Sequence, residues 1–209
     1  MEAMAVQRKR SSELDYWRKL YGELTAGAAD PAEALMAVSR DRTFPRYLHD
    51  LRLAPDSFRG RTVLEVACGP NGGLHWFQDC RRIGVDELID DYRRIGYPLW
   101  LHDIEYLTSR AESMPLEDAS IDAVVMTNAL DHVENPQAVV GEIRRVLRPG
   151  GAFHLDVNYQ YKSTTCEPHV FSDEAMAVIL GRWFEYRQVE REDLPAQRLT
   201  RVLLRCKAI

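Results

Sequence analysis

The chain has 209 residues and a mass of 24.0 kDa, and 45% of its residues are hydrophobic, so it can fill one sizeable core and is not disordered as a whole. Its 27 basic and 32 acidic residues give a formal net charge of −5, which argues against nucleic acid as a bulk partner, because no global positive field exists to hold a phosphate backbone. Since every strongly apolar run is short, we predict no membrane association and expect a cytoplasmic protein.

The first 58 residues show helical periodicity. Apolar residues follow Ser12 at spacings of three and four up to Leu24, which predicts a helix capped by Ser12. Pro31 opens a second predicted helix, and a third is predicted over 47–53. We interpret residues 1–58 as a helical N-terminal cap.

From residue 61 onward, short β-branched runs alternate with helix patterns. This alternation predicts a mostly parallel seven-stranded sheet with helices on both faces. The last two runs flank a polar stretch that contains Pro195, which predicts a C-terminal antiparallel hairpin. The strands are predicted at 61–67, 81–86, 105–109, 121–127, 151–158, 183–189 and 199–206, and the clearest helix at 136–147.

The stretch VLEVACGPNGG at 63–73 is the strongest local signal for chemistry. A buried strand that ends in small residues lets backbone N–H groups approach a ligand closely, as in nucleotide-binding loops. Asp86 ends the next predicted strand, where its carboxylate can accept hydrogen bonds from both hydroxyls of a ribose. A simple strand-to-helix turn and a helix N-cap at Asp86 are the structural alternatives. Together, the loop and the acid favour a nucleoside site.

With these motifs in order, the chain resembles the class I S-adenosylmethionine (SAM) dependent methyltransferases, in the small-molecule branch that includes the ubiquinone-biosynthesis type and the type 11 domain. The resemblance is carried by VLEVACGPNGG, GVDEL, RAESMPLEDASIDAVVMTNALDHV and EIRRVLRPGG, over about residues 61–158. It implies an α/β, Rossmann-like fold, SAM as the cofactor and S-adenosylhomocysteine (SAH) as its product. We expect one methyltransferase domain over 1–209, with a SAM-binding core at 59–158 and an acceptor-side segment with the final strand pair at 159–209.

Matched position by position, the resemblance implies a set of cofactor-binding residues. The loop would surround the methionine part of SAM, Asp86 would bind the ribose and Leu88 would lie beside the adenine. Asn128 and Ala129 would lie beneath the sulfonium. The full set is Glu65, Ala67, Gly69, Asn71, Gly72, Asp86, Glu87, Leu88, Ala111, Glu112, Asn128 and Ala129.

The chain departs from the family pattern in three places. Ala67 stands where many relatives have glycine, and Arg110 stands where many have an acid that accepts from the adenine amino group. Because arginine has no acceptor, we expect the backbone around Ala111, with Glu112, to recognise the adenine. The chain between the loop and Asp86 is also short, which predicts a clipped first helix.

Three side chains are candidate catalytic residues. His132 follows the fourth predicted strand, where it would act as a general base or make a structural hydrogen bond. Tyr159 and His169 belong to an unusual polar and aromatic stretch after the fifth strand, which would either contact the acceptor or pack as an aromatic loop. The aromatic residues of the cap would serve as core or as a lid over SAM. They are Tyr16, Trp17, Tyr21, Phe44 and Tyr47.

The favoured function is SAM-dependent methyl transfer to an oxygen or nitrogen of a small-molecule acceptor, such as a sugar or a secondary metabolite. The alternative is a SAM-binding regulatory or assembly protein without turnover. A dinucleotide-binding Rossmann protein is disfavoured, because the loop lacks GxGxxG spacing. No two histidines lie three to five residues apart and no CxxC pair occurs, so we expect no metal site. We expect a monomer or a homodimer.

Overall fold

The computed structural model describes residues 2–209, with the side chains of residues 9–42 and 44–209. Its seven strands form one sheet in the order β3-β2-β1-β4-β5-β7-β6. The strands are β1 (Thr62–Val66), β2 (Arg81–Asp86), β3 (Glu105–Thr108), β4 (Ile121–Thr127), β5 (Leu147–Gln160), β6 (Phe184–Leu194) and β7 (Leu199–Ala208). The α-helices are α1 (Glu2–Thr25), α2 (Pro31–Val38), α3 (Ile89–Ile95), α4 (Pro136–Val146) and α5 (Asp173–Leu180).

The first five strands are parallel, and β7 is antiparallel to both of its neighbours, β5 and β6. The predicted fold class, including the C-terminal hairpin, is therefore confirmed. β1 lies between β2 and β4, so the strand order reverses there. Ligands of open α/β sheets bind at such a switch point, outside the carboxyl ends of the strands.

Alternate residues along the central strands face opposite layers of the core. Leu64 and Val124 pack with the apolar faces of α4 and α5 on one side of the sheet. Val63 and Val125 face the other side, where they pack with Phe58 and neighbouring aromatic and apolar residues. Because both faces are covered, the central strands consist of nearly continuous apolar runs.

The N-terminal cap differs from its prediction in two respects. α1 runs without interruption through Ser12, so Ser12 is not an N-cap, because polar helix-forming residues continue the helix before it. The third predicted helix, over 47–53, is replaced by two π-helical turns at Ser39–Thr43 and Arg46–Asp50. α2 begins at Pro31 as predicted.

α1 packs on the sheet edge near α3. The guanidinium of Arg10 lies 2.8 Å from the carboxylate of Asp91, and the Tyr97 hydroxyl donates to the carbonyl oxygen of Trp17 at 2.9 Å. The Trp17 ring also makes an edge-on contact with Tyr92, at 5.9 Å between ring centroids. These contacts hold α1 across the carboxyl ends of the first strands.

The connection after β1 contains only a 3₁₀ turn at Gly73–Trp76, which confirms that the first helix is clipped. α5 begins as expected, with the Ser172 hydroxyl accepting from the N–H of Ala175 at 3.2 Å. β5 begins at Leu147 rather than at residue 151, because the chain after α4 pairs at once with β4. None of the described helices is both long and apolar enough to span a bilayer.

Candidate active site

A cavity of about 690 Å³ lies at the carboxyl ends of β1, β2 and β4, beneath α1 and the π-helical turns. Its walls come from the glycine loop, from the ends of the strands, from the cap and from the segment before α5. Eight residues that the sequence assigned to the site line it: Glu65, Ala67, Gly69, Asn71, Asp86, Asn128, Ala129 and His132. The predicted loop and strand ends thus meet around one space.

The glycine loop holds a left-handed backbone at three positions. Ala67, Gly69 and Gly72 have φ values of 53°, 57° and 65°. A Cβ atom on Gly72 would lie 2.3 Å from the ring of His102, so no other residue fits there. Gly72 does not line the cavity, and its role is to let the loop pack against His102.

Asp86 organises the loop from the end of β2. One carboxylate oxygen accepts from the N–H of Gly69 at 3.0 Å, and the other accepts from the N–H of Leu88 at 2.8 Å. Each oxygen keeps a further acceptor position toward the cavity, as recognition of two ribose hydroxyls requires. The side chain is buried, and this burial raises the pKa of Asp86 to about 6.

One acidic and one basic residue line the methionine end of the cavity. Oε2 of Glu65 is buried and has no hydrogen-bond partner among the described residues. Burial raises the pKa of Glu65 to about 8, and the charge of Arg46 opposes that rise. Arg46 also lies 3.6 Å from Asp156, and Arg42 of the cap lines the same cavity. A zwitterionic ligand group would find a guanidinium and a buried carboxyl group here.

Asn128 follows β4 with a left-handed φ of 47°, a conformation that asparagine adopts more readily than most residues. Its amide oxygen accepts from the amide of Asn158, which fixes the side chain. Next to it, the hydroxyl groups of Tyr47 and Thr127 are 3.3 Å apart. The end of β4 therefore presents an ordered polar surface to the cavity.

A smaller recess of about 60 Å³ adjoins the cavity at the expected adenine end, and Glu87, Ala111 and Glu112 line it. One Glu112 oxygen accepts from the N–H groups of Glu134 and Asn135 at 3.0 and 3.2 Å. The other oxygen lies 3.4 Å from Arg110. Glu112 thus anchors this segment to the start of α4, which leaves the backbone near Ala111 for adenine recognition.

Leu88 occupies a different place from the one expected. Its side chain is fully buried in an apolar cluster with Leu35, Ile89 and Tyr92, away from both cavities. The contribution of Leu88 to the site is its backbone N–H, which donates to Asp86.

The three candidate catalytic residues separate in the structure. His132 lines the cavity. The Tyr159 hydroxyl donates to Asp173 at 3.1 Å, and its ring packs in the core below the sheet. Nε2 of His169 donates to the carbonyl oxygen of Val133 at 2.9 Å. Tyr159 therefore packs in the core, and His169 attaches its loop to Val133. Of this segment, only the loop between Tyr159 and His169 reaches the cavity.

That loop contributes Cys166 and Glu167 to the cavity wall. One atom each of Asp131, His132 and Glu167 lie within 4.8 Å of one another, in an arrangement that could hold a cation. The motif spacing that argued against a metal site could not reveal this group, because Glu167 is distant in sequence.

Several lining residues were not identified from the sequence. Glu13 of α1 lines both cavities, and burial, with the charge of Asp86, raises its pKa to about 7. The others include Arg42, Arg46, Tyr92 and Thr127. The arginines after α2 formed a visible cluster in the sequence, but only the cap's packing shows which of them face the site.

Comparison with known proteins agrees with this geometry. Residues 64–155 match the family model described as "Methyltransferase domain". A probable S-adenosylmethionine-dependent methyltransferase of Mycolicibacterium smegmatis is 37% identical over 98 residues, which is 45% of this chain and 37% of the relative. Residues 64–155 therefore match a methyltransferase domain, as the motifs over residues 61–158 predicted.

Two further similarities extend the comparison. A sterol 24-C-methyltransferase of Eremothecium gossypii is 32% identical over 117 residues, which is 52% of this chain and 31% of the relative. The chain thus spans only about a third of the length of these curated relatives. Burkholderia thailandensis 1,6-didemethyltoxoflavin-N1-methyltransferase, solved with its acceptor and SAH, shares the fold over 99% of this chain and 88% of its own, with a TM-score of 0.62 and 16% identity.

Proposed function

We propose that this protein transfers the methyl group of SAM to a small-molecule acceptor. The observation that carries the proposal is the cavity in which the glycine loop, Asp86 and Asn128 meet beneath the cap. Its volume of about 690 Å³ falls in the upper part of the range of small-molecule sites, about 300–1,000 Å³. A cavity that has room for an acceptor beside the cofactor favours an enzyme over a protein that only binds SAM.

The residues present fit SAM. Arg46 would pair with the carboxylate of the methionine part, Glu65 offers a buried carboxyl group to its ammonium, and Asp86 offers acceptors to the ribose. The backbone near Ala111 would hold the adenine. When bound, SAM supplies an activated methyl group on its sulfonium.

The cap and the loop before α5 would hold the acceptor and exclude water. Trp17 and Leu20 of α1 give the cavity an apolar wall, opposite His132 and Glu167. Positioning of this kind is worth about 7–11 kcal/mol in favourable cases, so a dedicated base is not required. We assign His132, rather than Tyr159 or His169, to the acceptor side.

The structural neighbour that matches nearly the whole chain holds a small heterocyclic acceptor beside SAH, which supports a small acceptor here as well. We further propose a cytoplasmic monomer or homodimer, in line with the acidic net charge of −5.

Calorimetric titration with SAH tests the cofactor site. Asp86→Ala removes the hydrogen bond from Gly69 of the loop, the one from Leu88 and the expected ribose acceptor, so we expect the Kd for SAH to rise about 10- to 100-fold, the equivalent of about 1.5–3 kcal/mol. Asp90→Ala is the control, because Asp90 is exposed and pairs only with Arg93 on the surface of α3. Equal affinities in the two variants would contradict the ribose assignment.

Turnover is tested separately from binding. The protein is incubated with methyl-labelled SAM and a metabolite extract, and labelled products are detected by mass spectrometry. A labelled small molecule supports the enzyme. SAH binding without any labelled product in several extracts would favour a SAM-binding regulatory or assembly protein.

A further inference from the structure

Asp131, His132 and Glu167 surround a common gap at the acceptor side of the cavity. One carboxylate oxygen of Asp131 and one of Glu167 each lie 4.0 Å from Nε2 of His132. This separation exceeds hydrogen-bond distance, so the three groups do not satisfy one another. The three groups lie close together but form no hydrogen bonds with one another.

Two of the three groups, Asp131 and His132, also hold buried polar atoms without any partner, whereas Glu167 accepts from the Thr164 hydroxyl at 3.0 Å and the other Asp131 oxygen accepts from the Gln160 amide at 3.4 Å. Asp131 is fully buried, and its Oδ1 has no hydrogen-bond partner in the described part of the chain. Both ring nitrogens of His132 are buried and equally unpaired within the residues described. Unpaired buried polar atoms cost free energy, and a buried carboxylate costs more than a neutral group. A positively charged hydrogen-bond donor bound in the gap would satisfy these unpaired atoms.

The distances between the three groups can be compared with the distances between ligands around different cations. Three acceptors that each lie about 2.8 Å from one tetrahedral nitrogen are about 4.6 Å apart. Ligands of zinc or magnesium, at about 2.1 Å from the ion, are only about 3.0–3.4 Å apart. The observed 4.0 Å separations are about 0.6 Å wider than the widest of these metal spacings and about 0.6 Å narrower than the ammonium spacing, so they lie outside the range for zinc or magnesium ligands. Calcium has longer bonds, but it prefers oxygen ligands to histidine.

The residues around this gap indicate the chemical character of the rest of the ligand. Glu167 and His132 line the same cavity as Trp17 and Leu20, so a ligand held by the acidic end extends along an apolar and aromatic wall. The Cys166 thiol lies 3.5 Å from the Ser12 hydroxyl, which joins the loop to α1 and closes this end of the cavity.

We propose that Asp131, His132 and Glu167 form a subsite for a protonated amino group of the methyl acceptor, which is therefore an amine with an apolar or aromatic body. This inference rests on the proposed function, since it names the acceptor class of the same site. Nε2 of His132 accepts from the ammonium, which requires the neutral imidazole with its proton on Nδ1. Recognition of the charge then places the acceptor without any covalent role for these residues.

Calorimetry with 2-phenylethylamine and its uncharged counterpart 2-phenylethanol tests the subsite, in the presence of saturating SAH. We expect the amine to bind at least 10-fold more tightly than the alcohol. Glu167→Gln should weaken amine binding at least 10-fold and leave the affinity for SAH unchanged, because Glu167 is not among the residues assigned to the cofactor. Glu185→Gln, an exposed acid on β6, is the matched control and should bind as wild type does.

Four results would overturn the subsite. These are no binding of the amine, equal affinities for amine and alcohol, an unaffected Glu167→Gln variant, or micromolar binding of Mn²⁺ or Zn²⁺ alone that Glu167→Gln abolishes. The last result would make the group a metal site. The amine titrations are repeated without SAH, so that the subsite is tested independently of the cofactor. If the wild type does not bind SAH, that result contradicts the proposed function alone. Thermal unfolding of each variant confirms that it is folded.

Discussion

At the residue scale, Ala67 shows how local strain and site geometry coincide. Its left-handed φ of 53° brings the loop around beneath the cap, and its methyl group lies in the cavity wall. A non-glycine residue pays about 1–2 kcal/mol for this conformation. The loop tolerates it because Asp86 fixes the following turn through the N–H of Gly69.

Ala67→Gly should therefore stabilise the protein. We expect the free energy of unfolding in urea to rise by about 0.5–1 kcal/mol, because relief of the left-handed strain exceeds the entropy that glycine costs, about 0.5–1 kcal/mol. Ala123→Gly, at a fully buried position of β4 with ordinary φ, should instead destabilise by about 1 kcal/mol. If both variants lose stability equally, Ala67 is not strained.

The positions of two candidate catalytic residues, Tyr159 and His169, outside the cavity are also explained at the residue scale. Tyr159 lies on β5 two residues after Val157 and four after Leu155, and all three side chains pack in the same core layer. Period-two alternation would have placed Tyr159 there once the strand was known to extend to Gln160. The hydrogen bond of His169 to the backbone of Val133 had no signal in the sequence, because it joins distant loops.

At the element scale, α1 is attached to the core by a few aromatic and polar contacts. Trp17 contacts the rings of Tyr92 and Tyr97, and it also lies over the glycine loop, 3.4 Å from where a Cβ atom of Gly69 would be. An element held by few contacts opens at lower free energy than the sheet does. α1 is therefore suited to open for ligand entry.

Trp17→Ala should loosen α1 selectively. We expect faster hydrogen exchange of α1 amides, with the free energy of local opening lowered by up to about 3 kcal/mol, while the amides of β4 keep their protection. Lys19→Ala, which removes only an exposed ion-pair partner of Glu23, should leave exchange in α1 nearly unchanged. A uniform increase in every element, measured by mass spectrometry, would show that α1 does not open independently.

At the scale of the whole molecule, buried carboxyl groups and buried histidines set the pH dependence of stability. Burial raises the pKa of Glu65 to about 8 and that of Glu13 to about 7. Such groups stabilise the fold below their unfolded pKa of 4.5, and this stabilisation is lost as the pH rises through the folded value. Burial lowers the pKa of His102 to about 4 and of His154 to about 3, so these residues destabilise the fold as the pH falls below 6.5.

The free energy of unfolding without ligand should therefore fall between pH ~6.5 and ~8, where the buried histidines no longer offset the raised pKa of Glu65 and Glu13. Glu65→Gln should flatten that fall, because glutamine does not ionise, whereas the exposed Glu185→Gln should keep it. Urea unfolding at a series of pH values measures the effect. A fall of the same size in both variants would mean that Glu65 does not carry the dependence.

The sequence by itself determined the parts of this protein that local patterns encode. Buried apolar runs defined the parallel strands, Ser172 defined the start of α5, and the small-residue loop with Asp86 defined the cofactor edge. These signals are local because strand alternation, helix capping and turn conformation depend on neighbours in sequence. The expectation of one domain over 1–209 stays a prediction.

Only the tertiary structure decided which distant residues share the site. It brought Glu167 to Asp131 and His132, placed Arg46 beside Glu65, and turned Tyr159 and His169 away from the cavity. Such outcomes depend on how the cap and the loop before α5 pack on the sheet, and packing of segments far apart in sequence leaves no fixed spacing to read. The cofactor end was therefore predictable, and the acceptor end was not.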